Sequence, residues 1–126
     1  MDSKKGSVLI VDDEAINIKA LVHILGKSYS IFVEKTGQGC IEAAKRLQPD
    51  LILLDVLMPA MSGFEVIEQL KEDNNTQSIP VIFVTGLTSQ EDKDTGFKLG
   101  AVDYISKPFS STDVEMRVKS HIYAMP

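Results

Sequence analysis

The chain has 126 residues and a formal net charge of −5, with 44% apolar and 25% charged residues; that length and balance suit one domain with its own core, residues 1–126 with an ordered part from about 7 to 124, and exclude a disordered segment. The acidity excludes the clustered lysines and arginines that hold nucleic acid, and the single cysteine, Cys40, excludes an internal disulfide. No apolar run approaches a membrane span and MDSKKGS leads into no signal-type apolar region, so the expected setting is reducing and cytoplasmic, with no membrane partner.

Short apolar runs recur along the chain: Val8–Val11, Ile31–Val33, Leu51–Leu54, Val81–Val84 and Val102–Ile105. Most do not alternate with polar residues. Uninterrupted Val/Ile-rich runs of this length predict strands covered on both faces, as in a parallel sheet between helices. Between them, helical spacing predicts helices over Ala15–Leu25, Gly39–Leu47, Phe64–Leu70, Ser89–Leu99 and Thr112–Ala124. Gly26, Gly37, Pro49, Pro80 and Gly100 punctuate the boundaries, and Ser111-Thr112-Asp113 followed by Glu115 predicts a helix start. Five strands alternating with five helices predict an α/β doubly wound sheet with right-handed crossovers. Cys40 lies among Ile41, Ala44 and Leu47 and reads as a small buried residue.

In such folds ligands bind beyond the carboxyl ends of the strands. The first run ends in Asp12-Asp13-Glu14, the third in Asp55, the fourth in Thr85-Gly86, and Lys107-Pro108 follows the fifth. Taken singly, each is an ordinary turn or cap residue. Brought to one rim, they make a set with a distinct chemistry. Packed carboxylates repel and call for a cation, and Mg²⁺ is a hard ion that takes carboxylate oxygens. An ammonium, a hydroxyl and one carboxylate free to attack complete a site for phosphoryl transfer to an acyl phosphate.

The segments VLIVDDE, LILLDVLMPAMSG, VIFVTG and DYISKPF resemble the signature segments of bacterial response-regulator receiver domains, and the resemblance runs from Val8 to about Ile122. It implies a flavodoxin-like fold with strand order 2-1-3-4-5. It implies that Asp55 is the phosphoacceptor, with Thr85 and Lys107 pairing with the phosphoryl group. Asp12, Asp13 (foremost) and Asp55 would hold Mg²⁺ (or Mn²⁺), with the backbone carbonyl of Leu57. Met58-Pro59 and Gly63 match the loop and turn that follow. Thr85 and Tyr104 would form the switch, Tyr104 rotating inward as Thr85 moves to the phosphoryl group. The output surface would be the fourth helix, fifth strand and fifth helix.

Further expectations come with it. The Lys107–Pro108 bond is expected to be cis. Leu57 and Leu87, two residues beyond Asp55 and Thr85, are expected to cover the phosphoryl group and slow its hydrolysis, while Gly86 leaves the site open. The implied partners are a sensor histidine kinase or phosphotransfer protein, an output domain or effector, and a second copy in a phosphorylation-dependent homodimer. The chain would catalyse its own phosphorylation and dephosphorylation without being an enzyme in the ordinary sense.

Four other readings fit less well. An aspartyl phosphatase needs a second acid at position 57, where the chain has Leu57. A nucleotide-binding domain needs a glycine-rich loop after the first strand. A phosphohistidine carrier would use His23 or His121, which fall in helical patterns of an α/β chain and read as surface or partly buried residues. A non-switching interaction module of the same fold would not need Asp13, Asp55, Thr85 and Lys107 intact.

Overall fold

The computed structural model describes residues 5–123. Ala124, the predicted end of the last helix, lies outside the described residues. The elements run β1 (Ser7–Val11), α1 (Ala15–Leu25), β2 (Ser30–Glu34), α2 (Gly37–Leu47), β3 (Leu51–Leu54), α3 (Gly63–Glu72), β4 (Val81–Thr85), α4 (Gln90–Leu99), β5 (Asp103–Ser106) and α5 (Ser111–Tyr123). The five strands pair in parallel in the order β2-β1-β3-β4-β5. This is the doubly wound arrangement predicted from the sequence.

Side chains alternate across each strand and feed two core layers. Leu9, Val11, Ile52, Leu54, Val81 and Phe83 pack toward α2 and α3. Val8, Ile10, Leu51, Leu53, Ile82 and Val84 pack toward α1 and α5. Every residue of β3 and β4 is buried, which is why these runs carry no polar alternation. Each fully buried Leu, Ile or Phe contributes about 1.5–3 kcal/mol of apolar burial. Cys40 is also fully buried, and burial pushes its thiol up to about 12.

Element ends shift by a residue or two from the sequence prediction, most tellingly at α2 and β5. Helix α2 begins at Gly37, two residues early, because the Thr36 side chain accepts from the Gly39 N–H at 3.0 Å and caps the helix. Strand β5 begins at Asp103, one residue late, and runs on to Ser106, opposite Thr85. Val102 is exposed in the turn before it, although its N–H still bonds the Val81 carbonyl. Helix α3 starts with a full capping box between Ser62 and Glu65. Its first residue, Gly63, lies so close to Asp55 that a Cβ there would collide with the Asp55 carbonyl oxygen. Glycine at this position lets the helix start against the end of β3.

Candidate functional site

The strand register decides which residues meet. Val11 stands opposite Leu54, so the next residues, Asp12 and Asp55, leave the sheet side by side. The Asp55 N–H donates to the Val11 carbonyl at 3.0 Å. Both carboxylates are buried, Asp12 at 2% and Asp55 at 4% exposure, whereas Asp13 is exposed. From the other side of the rim comes Lys107, whose own N–H donates to the Thr85 carbonyl at 2.9 Å. Its ammonium donates to Asp12 Oδ2 and Asp55 Oδ2, both at 2.8 Å. The second oxygen of each carboxylate is held by the backbone. Asp12 Oδ1 accepts from the Glu14 N–H at 2.9 Å, and Asp55 Oδ1 from the Leu57 N–H at 3.3 Å. The Lys107–Pro108 bond is cis.

Among the described residues, charge at this rim is not balanced. Burial pushes the Asp12 carboxyl above its ordinary range, outweighing the Lys107 ammonium and the Glu14 N–H. Burial acts to lower Lys107, but its bonds to Asp12 and Asp55 carry it above the usual lysine range. Carboxylate oxygens of Asp12, Asp13, Glu14 and Asp55 lie within 4.8 Å of one another. An all-carboxylate donor set in excess over its one ammonium neighbour fits a hard divalent cation. Glu14 is the member that sequence reasoning passed over, though it stands in the same acidic run.

Thr85 is fully buried at the end of β4, and its Oγ1 accepts from the Leu87 N–H at 3.3 Å. Tyr104 is the residue expected to rotate inward as Thr85 moves to a phosphoryl group. Its ring is already inward, at 6% exposure, packed 5.8 Å from Phe83 and 6.3 Å from Phe97 between ring centroids. Gly96 of α4 makes room for it, since a Cβ there would stand 3.2 Å from the Tyr104 ring. Among the described residues the Tyr104 hydroxyl, which is buried, has no hydrogen-bond partner, and burial pushes it up to about 12, with Asp92 and Asp55 adding to the rise.

The two leucines expected to cover the phosphoryl group differ in exposure. Leu57 is 59% exposed. Leu87 is half-buried and packs against the core layer that contains Phe83 and Tyr104, so part of its surface is committed there. A Cβ on Gly86 would meet nothing within 4 Å, which leaves that side open. His23 is exposed, and His121 is half-buried with Nε2 at 3.0 Å from Asp103 Oδ2.

With this geometry in view, the chain can be set beside known proteins. The family described as response regulator receiver domain matches residues 8–119. A probable cyclic di-GMP phosphodiesterase of Vibrio cholerae serotype O1 is 43% identical over 121 residues, covering 96% of this chain and 27% of that protein. The chain thus spans about a quarter of that relative's length. Among solved structures, a response regulator of Chloroflexus aurantiacus superposes with a TM-score of 0.88 at 28% identity, covering 94% of this chain and 98% of that one. The receiver domain of a Pseudomonas aeruginosa sensor histidine kinase, whose magnesium ion is coordinated in the active site cleft, shares the fold with a TM-score of 0.86 at 24% identity, covering 94% and 98%. No helix among the described residues is long and apolar enough to cross a membrane.

Proposed function

The chain belongs to the response regulator receiver domain family, and from that premise we propose that residues 1–126 form one receiver domain that takes a phosphoryl group from a phosphohistidine onto Asp55. The observation that carries this is the shared ammonium: Lys107 bonds both Asp12 and Asp55 at 2.8 Å at the rim where the acidic cluster lies.

An Asp55 oxygen attacks phosphorus while the donor's phosphorus–nitrogen bond breaks and the imidazole leaves, giving an acyl phosphate. Lys107, already on Asp55, neutralises charge on the transferred group. Thr85 accepts the Leu87 N–H through Oγ1, which leaves its hydroxyl proton to donate to the phosphoryl group. Asp12, Asp13 and Asp55, with the Leu57 carbonyl, would hold Mg²⁺ (or Mn²⁺), which supplies further neutralisation of the phosphoryl charge when bound. The donor would be a sensor histidine kinase or phosphotransfer protein. Phosphorylation then shifts the balance between two arrangements of Thr85, Tyr104 and the α4–β5–α5 face, which controls an output domain, an effector or a homodimer. The likeness to a probable cyclic di-GMP phosphodiesterase favours a signalling enzyme as that output.

Incubation with acetyl phosphate and Mg²⁺ is expected to add one phosphoryl group, labile to base and to hydroxylamine. Asp55→Asn is expected to abolish it. Equal labelling of that variant would remove Asp55 from the role, and no labelling of the wild type would favour the non-switching module.

A further inference from the structure

Glu14 belongs to the acidic cluster but has no assigned role in the reading above, and it has a fixed place beside the site. It occupies the N-cap of α1, where a side chain often takes a first-turn N–H, but its carboxylate makes no such bond. Oε1 instead accepts from Asn17 Nδ2 at 2.9 Å and lies 3.6 Å from Lys107 Nζ. Its backbone N–H is engaged by Asp12 Oδ1. The residue is therefore pinned at both ends. An unrestrained glutamate this exposed would spread into solvent, whereas the Asn17 amide, three residues along the helix, holds it toward the lysine.

Lys107 carries a conflict that Glu14 can resolve. Its ammonium rests on the two buried carboxylates that a divalent cation would claim. Positive charges a few ångströms apart repel strongly in a partly buried site, so the ammonium must give way. Its four-carbon stem allows it to move. Among the described residues, Glu14 is the remaining carboxylate within 4 Å of Nζ. We propose that Glu14, steadied by Asn17, is a positioning residue that receives the Lys107 ammonium when a divalent cation occupies the site. The lysine then stays charged and close to Asp55, ready to pair with the incoming phosphoryl group, and is not released into water. This rests on the cation-assisted reading of the site given above.

The test is NMR of the isotope-labelled lysine ammonium groups through a Mg²⁺ titration of wild type, Glu14→Gln and Asn17→Ala. Without Mg²⁺ the Lys107 signal is expected to be the same in all three, because Asp12 and Asp55 hold it. At saturating Mg²⁺ the wild-type signal is expected to shift and remain restrained. In Glu14→Gln it becomes mobile and solvent-averaged, with Asn17→Ala between the two. The Mg²⁺ affinity of Glu14→Gln should fall by only about two- to fivefold, the scale of an exposed ion pair. Identical Lys107 signals in wild type and Glu14→Gln at saturating Mg²⁺ would overturn the proposal. So would an equal difference without Mg²⁺, which makes Glu14 a permanent anchor. A fall in affinity of about a hundredfold or more would make it a metal ligand in its own right. Failure of the underlying reading looks different: the wild-type Lys107 signal would ignore Mg²⁺ altogether.

Discussion

The two ends of the sheet treat polar groups in opposite ways. Where the strands begin, four polar groups of differing exposure each have a fixed protein partner. Asp50, just before β3, accepts from the Ser7 N–H at 2.8 Å. Thr76, fully buried, donates its hydroxyl to the Leu70 carbonyl at 2.7 Å. Lys71 donates to the carbonyls of Gln77 and Ile79 at 3.0 and 3.1 Å, with burial holding it below the usual lysine range. Asp103, at the start of β5, meets Arg117 at 2.7 Å and His121 at 3.0 Å. Where the strands end, Asp12 and Asp55 share one ammonium, and within β5, two strands from Asp55 in the sheet, the Tyr104 hydroxyl has no partner among the described residues. The first end is closed on itself and stabilises the fold. The second leaves charge and hydrogen-bonding capacity unspent, as a site that must accept a cation and a phosphoryl group requires.

This contrast can be broken most decisively at the strand ends. Asp13→Ala removes an exposed carboxylate, so stability should not change. Divalent-cation affinity should fall on the order of tenfold to a hundredfold, the scale of disturbing even outer partners of a metal, and phosphorylation by acetyl phosphate should slow with it. Full labelling of this variant, or of the wild type in excess chelator, would contradict the assignment.

At the other end the expected effect is on stability alone. Thr76→Val removes a buried hydrogen bond and leaves the Leu70 carbonyl with only the 3.4 Å bond from the Asp73 N–H, which should cost about 0.5–1.5 kcal/mol in urea unfolding, with phosphorylation unchanged. A phosphorylation defect without a stability loss would erase the distinction between the two ends.

Tyr104→Phe sharpens the comparison from the opposite direction. Removing an unpartnered buried hydroxyl should stabilise the protein by about 1 kcal/mol. The gain should widen in alkali. The tyrosine hydroxyl titrates at about 12 in the fold and near 10 in the unfolded chain. The unfolded chain loses its proton first, so wild-type stability drains as pH rises through that window. Thermal melts of both proteins from neutral pH to about pH 11 check this, and a loss of stability in Tyr104→Phe would mean that the hydroxyl is satisfied.

The smallest effect is expected in the loop after Asp55. Ala60 has φ 68°, and the Met61 N–H closes a tight turn onto the Pro59 carbonyl at 2.7 Å. This left-handed conformation costs a residue with a Cβ, so Ala60→Gly should stabilise by about 0.5–1 kcal/mol. A stability loss would show that the turn is not strained.

Much of the architecture was legible in the sequence because strand and helix periods are local. LILL and VIFVT contain no polar residue before the terminal threonine, and only strands covered on both faces read that way. Asp12, Asp55, Thr85 and Lys107 could be placed at strand ends for the same reason. The α2 start was missed because Gly37 reads as a break, and only the Thr36 cap makes it a first helical residue.

What the sequence determined by itself is the alternation of covered strands with helices and the kinds of residue that end each strand. These follow from periodicity over a few residues. Tertiary structure decided which of those residues touch. Asp12 and Lys107 stand 95 positions apart and Asp55 and Lys107 stand 52 apart, so their shared ion pair depends on strand order and register. The same holds for the burial of Asp12 beside an exposed Asp13, the inward Tyr104 ring between Phe83 and Phe97, and the reach of Glu14 to Lys107. Each is set by the crossing of segments distant in the chain, and no local period encodes such a crossing.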